Sequence, residues 1–169
     1  MNTPRARQDG FTLLEVLVSL IVLSVGMLGI GKLMMFSSRA NDSAYMRSQA
    51  TSLAYSILDD MRANQQDAIS GLYNVALGAY ANPGFTCTAA SPCTVSGQLA
   101  QFDLYTWKNA MLGALPTGDG TVVTAQSADP VTGATITMAT ITVQWNDAVA
   151  QQTFGNGAST MAVTLETEL

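Results

Sequence analysis

Histidine is missing from all 169 residues. Its absence removes the commonest general base, the commonest zinc ligand and every His-dependent nucleophile triad. Charge is scarce as well, 11% of residues against 48% hydrophobic, where soluble domains carry about 25% charged residues. Part of the chain is therefore expected to lie out of water. Cations are scarcest: beyond Arg62, Lys108 alone stands against Asp67, Asp103, Asp119, Asp129, Asp147, Glu166 and Glu168. A surface of that sign repels a phosphate backbone, so no nucleic acid is expected to bind it directly.

The two cysteines, Cys87 and Cys93, are too few for a four-thiolate metal site. In an exported chain they read as a disulfide around a short loop, contributing about 2 kcal/mol by chain entropy; in a reducing compartment they read as free thiols. Neither a GxSxG elbow nor a P-loop occurs, and Gly118-Asp119-Gly120 reads as a turn. Asp119, Asp129 and Asp147 occupy turn-like contexts without EF-hand spacing. No catalysis, metal or cofactor is expected.

Proline is absent between Pro4 and Pro83, which leaves a long stretch free to be helical. A short polar leader with Arg5 and Arg7 runs straight into FTLLEVLVSLIVLSVGMLGIG. The run from Phe11 to Gly31 makes about 32 Å of helix, enough to cross a hydrocarbon core of about 30 Å. A cleaved secretory signal fits poorly, because the run is too long and lacks a small-x-small cleavage site. An ordinary signal anchor fits the length but gives no reason for Glu15 inside the apolar run, where an ionisable group needs one.

Apolar or small residues then recur at Phe36, Ala40, Ala44, Ala50, Leu53, Ala54, Ile57, Leu58 and Met61, the pattern of an amphipathic continuation to about Ala63. Gly26, Gly29 and Gly31 mark its weakest stretch, each costing about 1 kcal/mol of helix in water. Residues 65–96 read as a loop-rich connection with one helical turn near Ala68–Tyr73. A second helix is expected over Leu99–Leu115, carrying Phe102, Trp107, Ala110 and Met111, with Trp107 in the core. The segments TVVTAQ, ATITMATITVQWN and STMAVTLETEL read as strands. If Ile136, Met138, Ile141, Val143 and Trp145 all face inward, a bulge near Ala139 and Thr140 is required.

Gly10, Phe11, Thr12, Leu13, Leu14 and Glu15 at the head of an apolar run resemble the processing signal of type IV prepilins and the related pseudopilins. Asp59, Asp60, Met61, Arg62, Ala63 and Asn64 resemble, more narrowly, a segment of PilV-like minor pilins. The resemblance implies an α+β pilin fold, with a long N-terminal helix, half membrane-spanning and half amphipathic, packed on an antiparallel sheet of three to four strands. It implies a leader at 1–10 removed by prepilin peptidase, a transmembrane and assembly helix at 11–36, and a periplasmic head at 37–169 with its sheet at 121–168.

On this resemblance the chain is a substrate of the peptidase, cut after Gly10 and methylated on the new amine of Phe11. Glu15 would attract the Phe11 amine of a neighbouring subunit and so set axial register. The implied product is a minor pilin that helps initiate assembly as part of a tip or priming complex. Its partners would be other minor pilins, the major pilin and, at one further remove, a tip adhesin. It would sit as a single-pass protein in the inner membrane and then in the pilus. A secretion pseudopilin and a membrane-anchored periplasmic binding module are the competing readings, and the mature N-terminus separates the last from the first two.

Overall fold

The computed structural model describes residues 10–79, 81–129, 131–148 and 160–169. The elements are α1 (Leu13–Ala63), α2 (Gln65–Ile69), α3 (Gln98–Ala114), β1 (Asp119–Ala128), β2 (Thr135–Asn146) and β3 (Thr160–Glu168). The chain forms two compact units, one up to Ala40 and one from Asn41, and α1 runs through both.

In the first unit every large apolar side chain from Leu13 to Phe36 is exposed. A helix apolar on all sides needs lipid or other helices around it, and α1 is long and apolar enough to cross a membrane. Hydroxyls inside the run are satisfied locally: Ser19 Oγ donates to Val16 O (2.8 Å) and Ser24 Oγ to Leu20 O (2.6 Å). The helix is unbroken through Gly26, Gly29 and Gly31. A Cβ added at any of the three would meet nothing within 4 Å, so packing within this chain does not require glycine there.

In the second unit α1 turns amphipathic and buries Ala50, Ala54, Ile57, Leu58 and Met61. They pack in one core with Val122, Ala139, Ile141, Val143 and Trp145 of the sheet, Ala100, Trp107 and Met111 of α3, and Tyr73. Trp107 lies in the core, and its Nε1–H donates to Leu53 O at 2.8 Å. The sheet is antiparallel with order β1-β2-β3 among the described residues. This is the α+β, pilin-like arrangement of a long N-terminal helix on a three-stranded antiparallel sheet.

Several local expectations are corrected. No bulge interrupts β2: Thr135 to Gln144 pair one for one with β1, and Met138 to Asn146 with β3. Thr137 and Ala139 face inward in phase with Ile141, Val143 and Trp145, while Ile136 and Met138 lie on the other face. A bulge in this central strand would break ladders on both sides, whereas small inward residues cost only apolar area. The turn expected at 68–73 is instead the short helix α2 over Gln65–Ile69, after which Gly71 reverses the chain at φ 79°. Ala44 is exposed, and so is Ala110, while Phe102 is only half-buried. On α3 the inward row is Ala100, Leu104, Trp107 and Met111: Trp107 and Met111 face inward as expected, while Ala100 and Leu104 take the places expected of Leu99, Phe102 and Ala110.

Candidate processing and assembly site

Glycine, an aromatic residue, threonine and glutamate meet where α1 begins. Thr12 directly precedes the first helical residue and caps the helix, whose first N–H groups lack partners within it. The Glu15 N–H donates to Thr12 O at 3.1 Å and to Thr12 Oγ1 at 3.3 Å, and the Val16 N–H donates to Thr12 O at 3.3 Å. Thr-x-x-Glu is the sequence form of a capping box, with the acid in the first turn, where the helix dipole favours negative charge. Glu15 thus has a local structural reason that the transmembrane reading of the sequence left out.

Gly10 and Phe11 lie outside the helix, and Phe11 is 84% exposed. The bond between them lies in exposed chain outside any helix or strand, and the helix begins two residues later. Glu15 is exposed too. An amine created at Phe11 would therefore have a carboxylate one helical turn away on its own chain, and the same carboxylate is open to the amine of another chain.

The remaining polar groups hold the second unit together. Cys87 and Cys93 form a disulfide with Cα atoms 5.3 Å apart, and Thr88 and Ser91 close the loop between them through reciprocal backbone hydrogen bonds of 3.0 and 3.1 Å. Of the three turn aspartates, Asp129 accepts the N–H groups of Val131 and Thr132 (2.7 and 3.0 Å), which hold its carboxyl below the usual range. Asp147 accepts from Ser43 Oγ, and Asp119 pairs with Lys108. They do not converge, and no metal-holding group of acids, histidines or cysteines occurs among the described residues. Gly118 and Gly120 are required by close approach: a Cβ at Gly118 would lie 2.5 Å from Met111 O, and one at Gly120 2.6 Å from the Trp107 ring.

Three buried polar residues escaped sequence reasoning. Lys108 is 4% exposed and donates to Ala76 O (3.1 Å), Gly120 O (2.6 Å) and the Asp119 carboxylate. Burial pushes the Asp119 carboxyl up, but the bonds from Lys108, Gly78 and Gly120 outweigh it and leave it below the usual range. Tyr73 is fully buried and its hydroxyl donates to Asp103 Oδ2 at 2.6 Å; burial, then that bond, push the phenol well up. Asp67 accepts from Asn64 Nδ2, the Gly97 N–H and Ser96 Oγ, each at 3.0 Å, and these bonds hold its carboxyl down. The one visible hint was Lys108 itself, the sole cation of an acidic region.

Among family models, the prokaryotic N-terminal methylation motif matches residues 5–31, the segment that holds Gly10, Phe11, Glu15 and the exposed apolar helix. No curated protein and no solved structure matches the chain. The motif points to a structural subunit and accords with membrane anchoring and incorporation into a pilus. This motif at the head of α1, with an α+β unit behind it, supports reading the chain as a type IV pilin-family protein.

Proposed function

We propose that the chain is a minor pilin of the PilV-like kind, cut after Gly10, methylated at Phe11 and built into a type IV pilus as part of a tip or priming complex. The observation that carries this reading is the conjunction at one helix start: the methylation motif, an accessible Gly10–Phe11 bond, and Glu15 open to a second chain at the head of an unburied apolar helix. The leader is residues 1–10, the assembly helix 11–36 and the periplasmic head 37–169. Stored in the inner membrane, the helix satisfies its apolar surface with lipid; in the filament it exchanges lipid for the helices of other minor pilins and the major pilin. Prepilin peptidase supplies all the covalent chemistry, and this chain is its substrate.

Within that cycle Glu15 guides assembly. Its carboxylate attracts the positive Phe11 amine of the subunit next to it, an attraction strengthened where lipid or packed helices exclude water. Glu15→Ala should leave cleavage intact, since the scissile bond is unchanged, and reduce incorporation into sheared filaments at least tenfold by immunoblot. Wild-type incorporation of the processed variant would refute this role for Glu15. The narrower PilV-like assignment draws its support from the Asp59–Asn64 segment, where Met61 is buried and Asp59 and Arg62 are exposed.

A further inference from the structure

The two outer edges of the sheet are finished differently. In an antiparallel ladder, alternate residues turn both N–H and C=O toward the neighbouring strand, and those between turn them away. The bond from the Leu169 N–H to Thr137 O (3.0 Å) fixes the phase of β3. Odd-numbered residues bond to β2, while Thr160, Ala162, Thr164, Glu166 and Glu168 present their backbone groups outward.

On β1 the corresponding groups are met by the chain itself. Lys108 Nζ donates to Gly120 O (2.6 Å), Val122 exchanges two bonds with Val75 (3.0 and 3.1 Å), and the Thr124 N–H donates to Asn74 Oδ1 (2.7 Å). Among the described residues no hydrogen bond from another part of the chain meets the outward groups of β3; Glu168 O accepts only from the neighbouring Thr167 Oγ1 (3.2 Å). Beside that edge Met161, Val163 and Leu165 are only half-buried, while Ile141 and Val143 next to them on β2 are fully buried.

An open edge attracts added strands, and charge decides which. Glu166 and Glu168 lie two apart on one face of this edge, beside uncharged Thr140 and Met138. Neither glutamate takes part in the ion pairs Arg62–Asp59 and Lys108–Asp119. A second copy of this unit has no basic strand to offer, because Arg47, Arg62 and Lys108 all sit on helices. Residues 149–159 contain no cation either.

We propose that the free edge of β3 takes up an extended segment of a different protein, carrying Lys or Arg two residues apart to face Glu166 and Glu168. The inference rests on the second unit alone and stands whether or not Phe11 is methylated. The competing explanation is that the two glutamates merely keep the edge from pairing.

The test uses the full chain in detergent and two fluorescent peptides of about nine residues, both alternating Thr and Val, one with two Lys at i and i+2 and the other with two Glu. The basic peptide should bind at least tenfold more tightly, and binding should slow amide exchange at Ala162, Thr164, Glu166 and Glu168. Glu166→Lys combined with Glu168→Lys should reverse the preference. Ala162→Pro, which removes an outward N–H and no side-chain hydrogen bond, should abolish binding with the fold kept; Thr164→Pro, which also loses the hydroxyl bond to Thr142, serves if that variant does not fold. No binding of the basic peptide, equal binding of both, or self-association of a Glu166→Gln, Glu168→Gln variant without peptide uptake would overturn the proposal.

Discussion

At the scale of single residues, the second unit depends on a few buried polar groups that each have several partners. Lys108 bonds two backbone carbonyls and one carboxylate, so it is an anchor between α3, β1 and the 76–78 segment. Removing one member of a buried charged pair strands the other and costs about 3–5 kcal/mol. Lys108→Met should lower stability by about 3 kcal/mol in denaturant titration of the full chain, while Arg62→Met, whose pairing is exposed at 4.0 Å, should change it by less than about 1 kcal/mol.

The carboxylates near Tyr73 act in the opposite sense. Burial, then repulsion by Asp103 and Asp59, push Asp60 up, and burial pushes Asp103 up against the bond from Tyr73. A raised acid is more protonated in the folded state, so its stabilising contribution is present below its unfolded value and is lost as pH rises through the folded one. Asp67 and Asp119, held down, contribute above their unfolded value and lose that contribution as pH falls through the folded one. Asp60→Asn should therefore raise the thermal midpoint at pH 7 and leave it nearly unchanged at pH 3, whereas Asp119→Asn should lower it at pH 7 and lose most of that effect at pH 2. Calorimetry across that range reads both signs.

Among the elements, α1 is governed by two different solvents. In its first half the large apolar side chains are exposed, and a Cβ added at any of the three glycines there would meet nothing within 4 Å. If this stretch must loosen when the helix leaves lipid, then Gly26→Ala with Gly29→Ala and Gly31→Ala, adding up to about 3 kcal/mol of helix propensity in water, should keep membrane insertion and cleavage but reduce the protein in sheared filaments. Undiminished incorporation would show that the glycines serve only tolerance or packing.

The same elements show what sequence patterns can carry. The long helix, the second helix and all three strands were legible because period 3.6 and period 2 are imprinted by burial over many residues. The phase of β2 was not, because Thr137 and Ala139 look like surface residues and Ile136 and Met138 like core. Here register continuity decided, and hydrophobicity ranking did not. The edge bonds of β1 were equally invisible, since Asn74, Val75 and Lys108 reach them from distant positions. At the N-terminal site, Thr12 and Glu15 stood out through resemblance to a processing signal, but the cap that joins them required the helix start to be located.

At the scale of the whole molecule, one unit exposes an apolar helix and the other has a closed core, and α1 runs through both. The first unit's exposed side chains make permanent solution life untenable, so the molecule is built for a lipid phase, a helical bundle, or transfer between them. On the proposed function, transfer requires that the leader be lost, because an uncut chain has no amine at Phe11 for Glu15 to meet. The most direct measurement is intact-protein mass spectrometry of this chain from sheared filaments and, separately, from inner membranes. The expected result is a filament species beginning at Phe11 and heavier by one methyl group, with Met1 found only in the membrane pool. A chain that retains Met1 everywhere and never enters filaments would contradict the account.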